Sequence, residues 1–132
     1  MPKPQVTIWV LLLAILTSGC QSHVSRKAGI EAALRDFEAT LRWQNISEAY
    51  RFLRPELQPA YLPPGLNSMR VVGYDVLDRP VEVTENVVVQ RAEIKYVNKD
   101  TQIMRTVMDE QVWESDDDGK TWMRANPMPA FP

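Results

Sequence analysis

Ile30, Ala33, Leu34, Phe37 and Leu41 fall at i, i+3, i+4, i+7 and i+11, the apolar stripe of an amphipathic helix. Glu31, Arg35 and Glu38 occupy the opposite side, and the spacing predicts a helix from near Ser25 to Trp43. Asn45-Ile-Ser-Glu48 then offers a second start, with an Asn cap and a Glu three residues on, close to a capping box. Ile46, Ala49, Tyr50 and Leu53 continue the helical spacing until Pro55, which lacks the N–H and restricts its predecessor. Residues 54–67 hold four prolines and a glycine. They predict an irregular connector with a single helical turn around Glu56 and Leu57.

From Met69 the period changes to 2. Met69 to Leu77 reads as one β segment, Asp78-Arg79-Pro80 bends it, and Val81 to Thr84 continues it after a bulge. Val87 to Val97 is the clearest strand, with Val88, Ala92, Ile94 and Tyr96 on one face and Gln90 interrupting it. A turn at Asn98-Lys99-Asp100 leads into Gln102–Glu114, and a last strand is expected from Lys120 to Ala125. Along Gln102–Glu114, Met104, Thr106, Met108 and Val112 share one side, and Ile103, Val107 and Trp113 the other. Helices first and strands afterwards predict an α+β fold: an N-terminal helical hairpin packed on a curved four-stranded antiparallel sheet.

The N-terminus changes how much chain is left to fold. Lys3 precedes an apolar run from Val6 to Leu16, and small residues lead to Cys20. That run is too short for a membrane-spanning helix, which needs about 20 residues, and it matches a secretory leader. Leu16-Thr17-Ser18-Gly19-Cys20 resembles the bacterial lipobox, with Thr17 where Leu is usual. The resemblance implies cleavage before Cys20 and lipidation of it, including an N-acyl chain such as palmitate. Cys20 is the sole cysteine, so no disulfide partner competes for it. The expected organisation is a leader over 1–19, a lipidated Cys20 with a polar tether to residue 25, and one domain over 26–132. Gln21, in place of Asp, favours the outer membrane, periplasmic face, over inner-membrane retention. Fifteen Lys and Arg against 17 Asp and Glu give a net charge of −2, which becomes −3 once Lys3 leaves with the leader. No basic run exceeds Arg26-Lys27, so a nucleic-acid partner is not expected.

The run Trp43-x-x-x-Ser47-x-Ala49-Tyr50-x-Phe52-Leu53-x-Pro55 and the long closing hairpin resemble the nuclear-transport-factor-2-like superfamily over roughly residues 26–127. The resemblance implies a cone-shaped domain in which a curved sheet wraps the helices. It implies no particular activity, because such a fold hosts many.

Ser115-x-Asp117-x-Gly119-x-Thr121-Trp122 resembles the Asp-box hairpin repeated in sialidase-type propellers, where the motif is structural. The resemblance implies a turn in which Asp117 accepts N–H groups, Gly119 bends the chain and Trp122 packs on the hairpin. The three successive acids Asp116, Asp117 and Asp118 invite a cation, yet the EF-hand spacing is missing: glycine comes too early and no distal Glu follows. No metal and no cofactor are expected.

Catalytic candidates are sparse. His23, the single histidine, falls in the expected tether, so a nucleophilic triad or imidazole zinc site lacks its parts. Asp109 and Glu110 are adjacent and point to opposite faces of a strand. Asp75 or Glu93 remains able to meet another acid across the sheet, although charged strand residues usually face water. Trp43, Tyr50, Tyr74, Tyr96 and Trp113 come from different elements and are the candidate ligand or partner surface, although core filling is the favoured reading in a domain this small. The expected function is a non-enzymatic envelope lipoprotein that touches the membrane through Cys20 and binds another envelope protein. A carrier of small apolar ligands in the cone is the alternative, and a carboxylate-based enzyme the third.

Overall fold

A computed structural model describes the backbone of residues 5–132 and the side chains of residues 23–132. Helix α1 spans Gln5–Trp43, so residues 20–25 continue the helix where a tether was expected. The side chain of Cys20, the expected lipidation site, and the leader residues before it lie outside the described residues. The predicted stripe is the buried face: Ile30, Leu34, Phe37 and Leu41 all enter the core. Gln44 donates to the Thr40 carbonyl at 3.0 Å, and the chain then turns extended at Asn45.

The second helix is a 3₁₀ helix, Ile46–Phe52, and the expected capping box does not form. Asn45 makes no side-chain capping bond, and the Glu48 N–H donates to the Asn45 carbonyl at 2.9 Å. Tighter winding eclipses positions three apart, which puts Ile46 and Ala49 together against the core. It also releases the chain early, because Arg54 N–H donates to the Arg124 carbonyl at 2.9 Å and Leu53 bridges Arg124 in parallel. Short 3₁₀ turns at Pro55–Leu57 and Leu66–Ser68 carry the connector.

Strands β1 (Met69–Val76), β2 (Val81–Thr84), β3 (Val87–Asn98), β4 (Met104–Glu114) and β5 (Met123–Arg124) form one curved antiparallel sheet. β1 and β2 lie end to end against β3, broken at Asp78–Pro80 as the proline implied, and β4 then β5 follow on the other side. The last strand is two residues where six were expected, because Thr121 and Trp122 are held by the preceding turn and Pro127 cannot extend a ladder.

The inner face carries Val88, Gln90, Ala92, Ile94 and Tyr96 from β3, and Asp109, Gln111 and Trp113 from β4. The rings of Phe37, Phe52 and Trp113 meet edge to face, with centroids 5.4 to 6.2 Å apart. At the open end Phe131 of the C-terminal tail packs edge-on against Tyr96, whose hydroxyl donates to the Pro132 carbonyl at 2.8 Å. Side chains and the tail therefore fill the inside of the sheet.

Candidate functional site

The 115–122 turn is a closed set of hydrogen bonds. Ser115 Oγ donates to Asp117 Oδ1 at 2.9 Å and accepts the Gly119 N–H at 2.8 Å. Thr121 donates its N–H to Asp117 Oδ1 and its hydroxyl to Asp117 Oδ2, and Trp122 Nε1 donates to the Gly119 carbonyl. Asp118 and Gly119 adopt positive φ, which glycine tolerates and Asp tolerates better than most residues. The Thr121 hydroxyl and N–H, with Ser115 behind them, hold the Asp117 carboxyl well below the usual range, at about 2. The three successive carboxylates diverge: Asp116 pairs with Arg54 at 3.0 Å, Asp117 closes the turn, and Asp118 lies 3.5 Å from Arg26. Among the described residues no group of three His, Cys, Asp or Glu side chains converges as a metal site.

This turn is where α1 docks on the sheet. A Cβ on Gly29 would overlap the Gly119 carbonyl oxygen and press on the Trp122 indole. A Cβ on Gly119 would overlap the side chain of Arg26. Two glycines facing each other thus permit backbone contact between helix and turn, with Trp122 wedged beside them. Glycine in a helix interior costs roughly 0.5–1 kcal/mol relative to alanine, which this close approach offsets.

Beside that contact a groove of about 400 Å³ opens between α1 and the β1–β2 bend. Ile30, Leu34, Val88 and Trp122 give it an apolar lining, and Arg26, Lys27 and Arg79 stand along it. His23, expected in a free tether, stands on α1 at the mouth of this groove.

A second cluster lies inside. Arg124 grips Asp109 with both terminal nitrogens, at 2.9 and 2.5 Å, and each side chain is only 1% exposed. Its remaining donors meet the carbonyls of Asn126, Glu110 and Pro127, and its guanidinium lies 5.5 Å from the Phe37 ring centroid. Gln111 Nε2 donates to Asp109 at 2.8 Å and to the Tyr74 hydroxyl at 2.7 Å, and Trp113 Nε1 donates to Gln111 Oε1. Burial pushes the Tyr74 hydroxyl up to about 12, despite the bond from Gln111. The cluster faces the interior and locks β4 to β5 and the tail.

Of the aromatic residues weighed as a ligand or partner surface, most fill the core, as the favoured reading had it. Tyr74, Tyr96 and Trp113 are buried and Tyr50 packs half-buried against the core, because the inner sheet face needs their volume. Trp43 alone is open, 77% exposed, with Arg42 stacked on its ring at 5.2 Å. Asp109 and Glu110 point to opposite faces as expected, Asp109 inward and Glu110 to solvent. Asp75 and Glu93 do meet, as direct cross-strand partners, but Lys95 bridges them at 3.0 and 3.4 Å. Those two carboxylates raise the Lys95 pKa, the Asp75 bond most.

Residues that sequence reasoning passed over are Arg124, Gln111 and Gly29, while Gln90 and Arg26 were noted only as a break in an apolar face and as part of the longest basic run. Alternation from Trp113 does point Asp109 and Gln111 inward, and a glycine inside an apolar helical stripe signals close approach. Comparison with protein-family models, curated proteins and solved structures finds no match.

Proposed function

We propose that this chain is a lipid-anchored module on the periplasmic face of the bacterial outer membrane that works by binding a partner protein. The anchor rests on the leader and Cys20; the domain is read as a cone of the nuclear-transport-factor-2-like kind, without catalytic activity. One observation carries the binding reading: a bare stretch of sheet edge. Sheets expose unpaired N–H and C=O groups at their edges, and proteins normally blunt them.

Here the β1–β2 edge is blunted by bulges at Val71/Gly73 and Glu82/Thr84 and by Pro80. The upper half of the β4 edge is sealed by β5 and by Asn126, whose amide accepts the Val112 N–H and donates to the Glu110 carbonyl. Backbone alternation turns Met104, Thr106 and Met108 outward in the same way, yet among the described residues nothing pairs with them. Ile103, Met104 and Met108 are 53%, 62% and 47% exposed beside that edge. An extended strand from a partner matches this surface, taking main-chain bonds for affinity and the methionines for side-chain contact. The carrier reading is weaker, because rings and tail fill the cone.

The experiment is photocrosslinking in the intact envelope, with the probe placed at Met108. A discrete adduct is expected, and Thr106→Pro should abolish it, since proline removes an outward N–H while an edge position tolerates it. An adduct that persists in Thr106→Pro, or that forms equally from a probe on β2, refutes the edge as the binding surface.

A further inference from the structure

We infer that the groove beside α1 is a binding site for one anionic amphiphile, an acyl chain ending in a carboxylate or phosphate. Its volume of about 400 Å³ lies within the range of small-ligand sites, about 300–1,000 Å³. Ile30, Leu34, Val88 and Trp122 supply a continuous apolar wall for a chain, and all four are buried core residues with fixed positions. A headgroup is selected by what the cations lack.

Arg26 is the informative one. Its Nε is buried without a hydrogen-bond partner, a state that few buried donors occupy. Its terminal nitrogens stand 3.8 Å from Glu85 and 3.5 Å from Asp118, both exposed acids at the rim. Charge-assisted bonds run about 2.7–2.9 Å, so this guanidinium is held near acids but not satisfied by them. Arg124, on the same domain, makes a hydrogen bond of 2.5–3.1 Å with every nitrogen, which shows what a satisfied guanidinium looks like in this protein.

Among the described residues Lys27 and Arg79 have no ion-pair partner, although both line the groove. Glu31 and Glu82 line it too, and Glu85 and Asp118 stand at its rim, so an anion is selected by the unmet donors of Arg26, Lys27 and Arg79 and not by a surplus of positive charge. A bare anion would use the cations and leave the apolar wall wet; an uncharged chain would leave Arg26 unmet. One molecule with both parts meets both demands. Its headgroup chemistry is shared by free fatty acids and by membrane lysophospholipids.

The test uses the full chain in nonionic micelles with a photoreactive palmitate analogue, the labelled residues being mapped by mass spectrometry. Labelling is expected on residues 26–34, at Val88 and at Trp122. Palmitate and lysophosphatidylglycerol compete, and whichever does so at lower concentration identifies the source. Hexadecanol and inorganic phosphate should compete at least tenfold more weakly. Arg26→Gln should weaken labelling at least tenfold in protein whose circular dichroism is unchanged. Should that variant unfold, Arg79→Gln, an exposed change, should still weaken it several-fold.

Labelling elsewhere or none, hexadecanol competing as well as palmitate, phosphate competing alone, or wild-type labelling in a folded variant each overturns the site. The Thr106→Pro variant serves as the control, because it alters partner pairing at β4 and should leave labelling unchanged.

Discussion

Replacing Arg124 with methionine tests whether the buried ion pair or the packing around it holds β4, β5 and the tail together. Arg124→Met keeps much of the stem that covers Phe37 but removes both bonds to Asp109 and those to three carbonyls. Asp109 would then keep one recorded donor, Gln111 Nε2 at 2.8 Å, for a carboxylate that is 1% exposed. Stranding one member of a buried pair costs about 3–5 kcal/mol, a large share of the 5–15 kcal/mol typical of a domain. Asp109→Asn should cost less, because the amide keeps the shape and one acceptor.

The double change Asp109→Leu with Arg124→Met removes both charges. It should fall within about 2 kcal/mol of wild type, since replacing a buried pair by apolar residues is often neutral or better, while Gln111 loses one acceptor at about 1–3 kcal/mol. Urea titrations of the full chain, compared at equal m values, measure these four proteins together with the single Asp109→Leu, which completes the cycle. The reasoning fails if Arg124→Met costs under about 1 kcal/mol, or if the double variant is as unstable as the two single changes added together.

Four further outcomes are expected. Gly29→Ala should lower the melting temperature despite alanine's better helix propensity, and an unchanged or raised melt would mean that α1 does not touch the turn. Asp117 titrates near 2 when folded against an ordinary 3.8, so its contribution is present above that ordinary value and fades as pH falls toward 2; Asp117→Asn should flatten the acid limb of the melting curve, and calcium or chelator should shift neither protein. Tyr74, raised from 10.0 to about 12 by burial, contributes stability that is full below pH 10 and is lost as pH rises toward 12; Tyr74→Phe should remove that alkaline loss in melts between those pH values. Cys20→Ser should leave unprocessed precursor, and a mature, detergent-extractable protein from that variant would refute the anchor.

How far the chain can be read without its fold depends on the range of each interaction. The stripe Ile30 to Leu41 and the break at Pro80 are local signals, written within one helix or one bend, and they match the structure. The Asn45 cap is local as well, yet it does not form, and the segment winds as a 3₁₀ helix that ends where Leu53 and Arg54 pair beside Arg124. Asp109 is the clearest long-range case. Its charge argues for water and its parity for the core, and the residue that settles the matter, Arg124, lies fifteen positions away across a turn. For the site, Trp122 and the Asp-box turn were legible, whereas the groove was not. It needs α1, the β1–β2 bend and Val88 brought together, and nothing in the spacing of His23, Arg26 and Lys27 announces that.

The two glycines also fix a phase. With Gly29 seated on Gly119, the angular position of every residue upstream in α1 is set relative to the sheet, because the helix is continuous from Gln5. One residue inserted just before Gly29 would rotate everything upstream by about 100° and lift it by about 1.5 Å. Four inserted residues would restore the facing to within about 40° while adding about 6 Å of height. Insertion length thus resets azimuth and height of the N-terminal segment together, in fixed steps, and keeps the Gly29 seat while moving Arg26 off Gly119, Glu85 and Asp118.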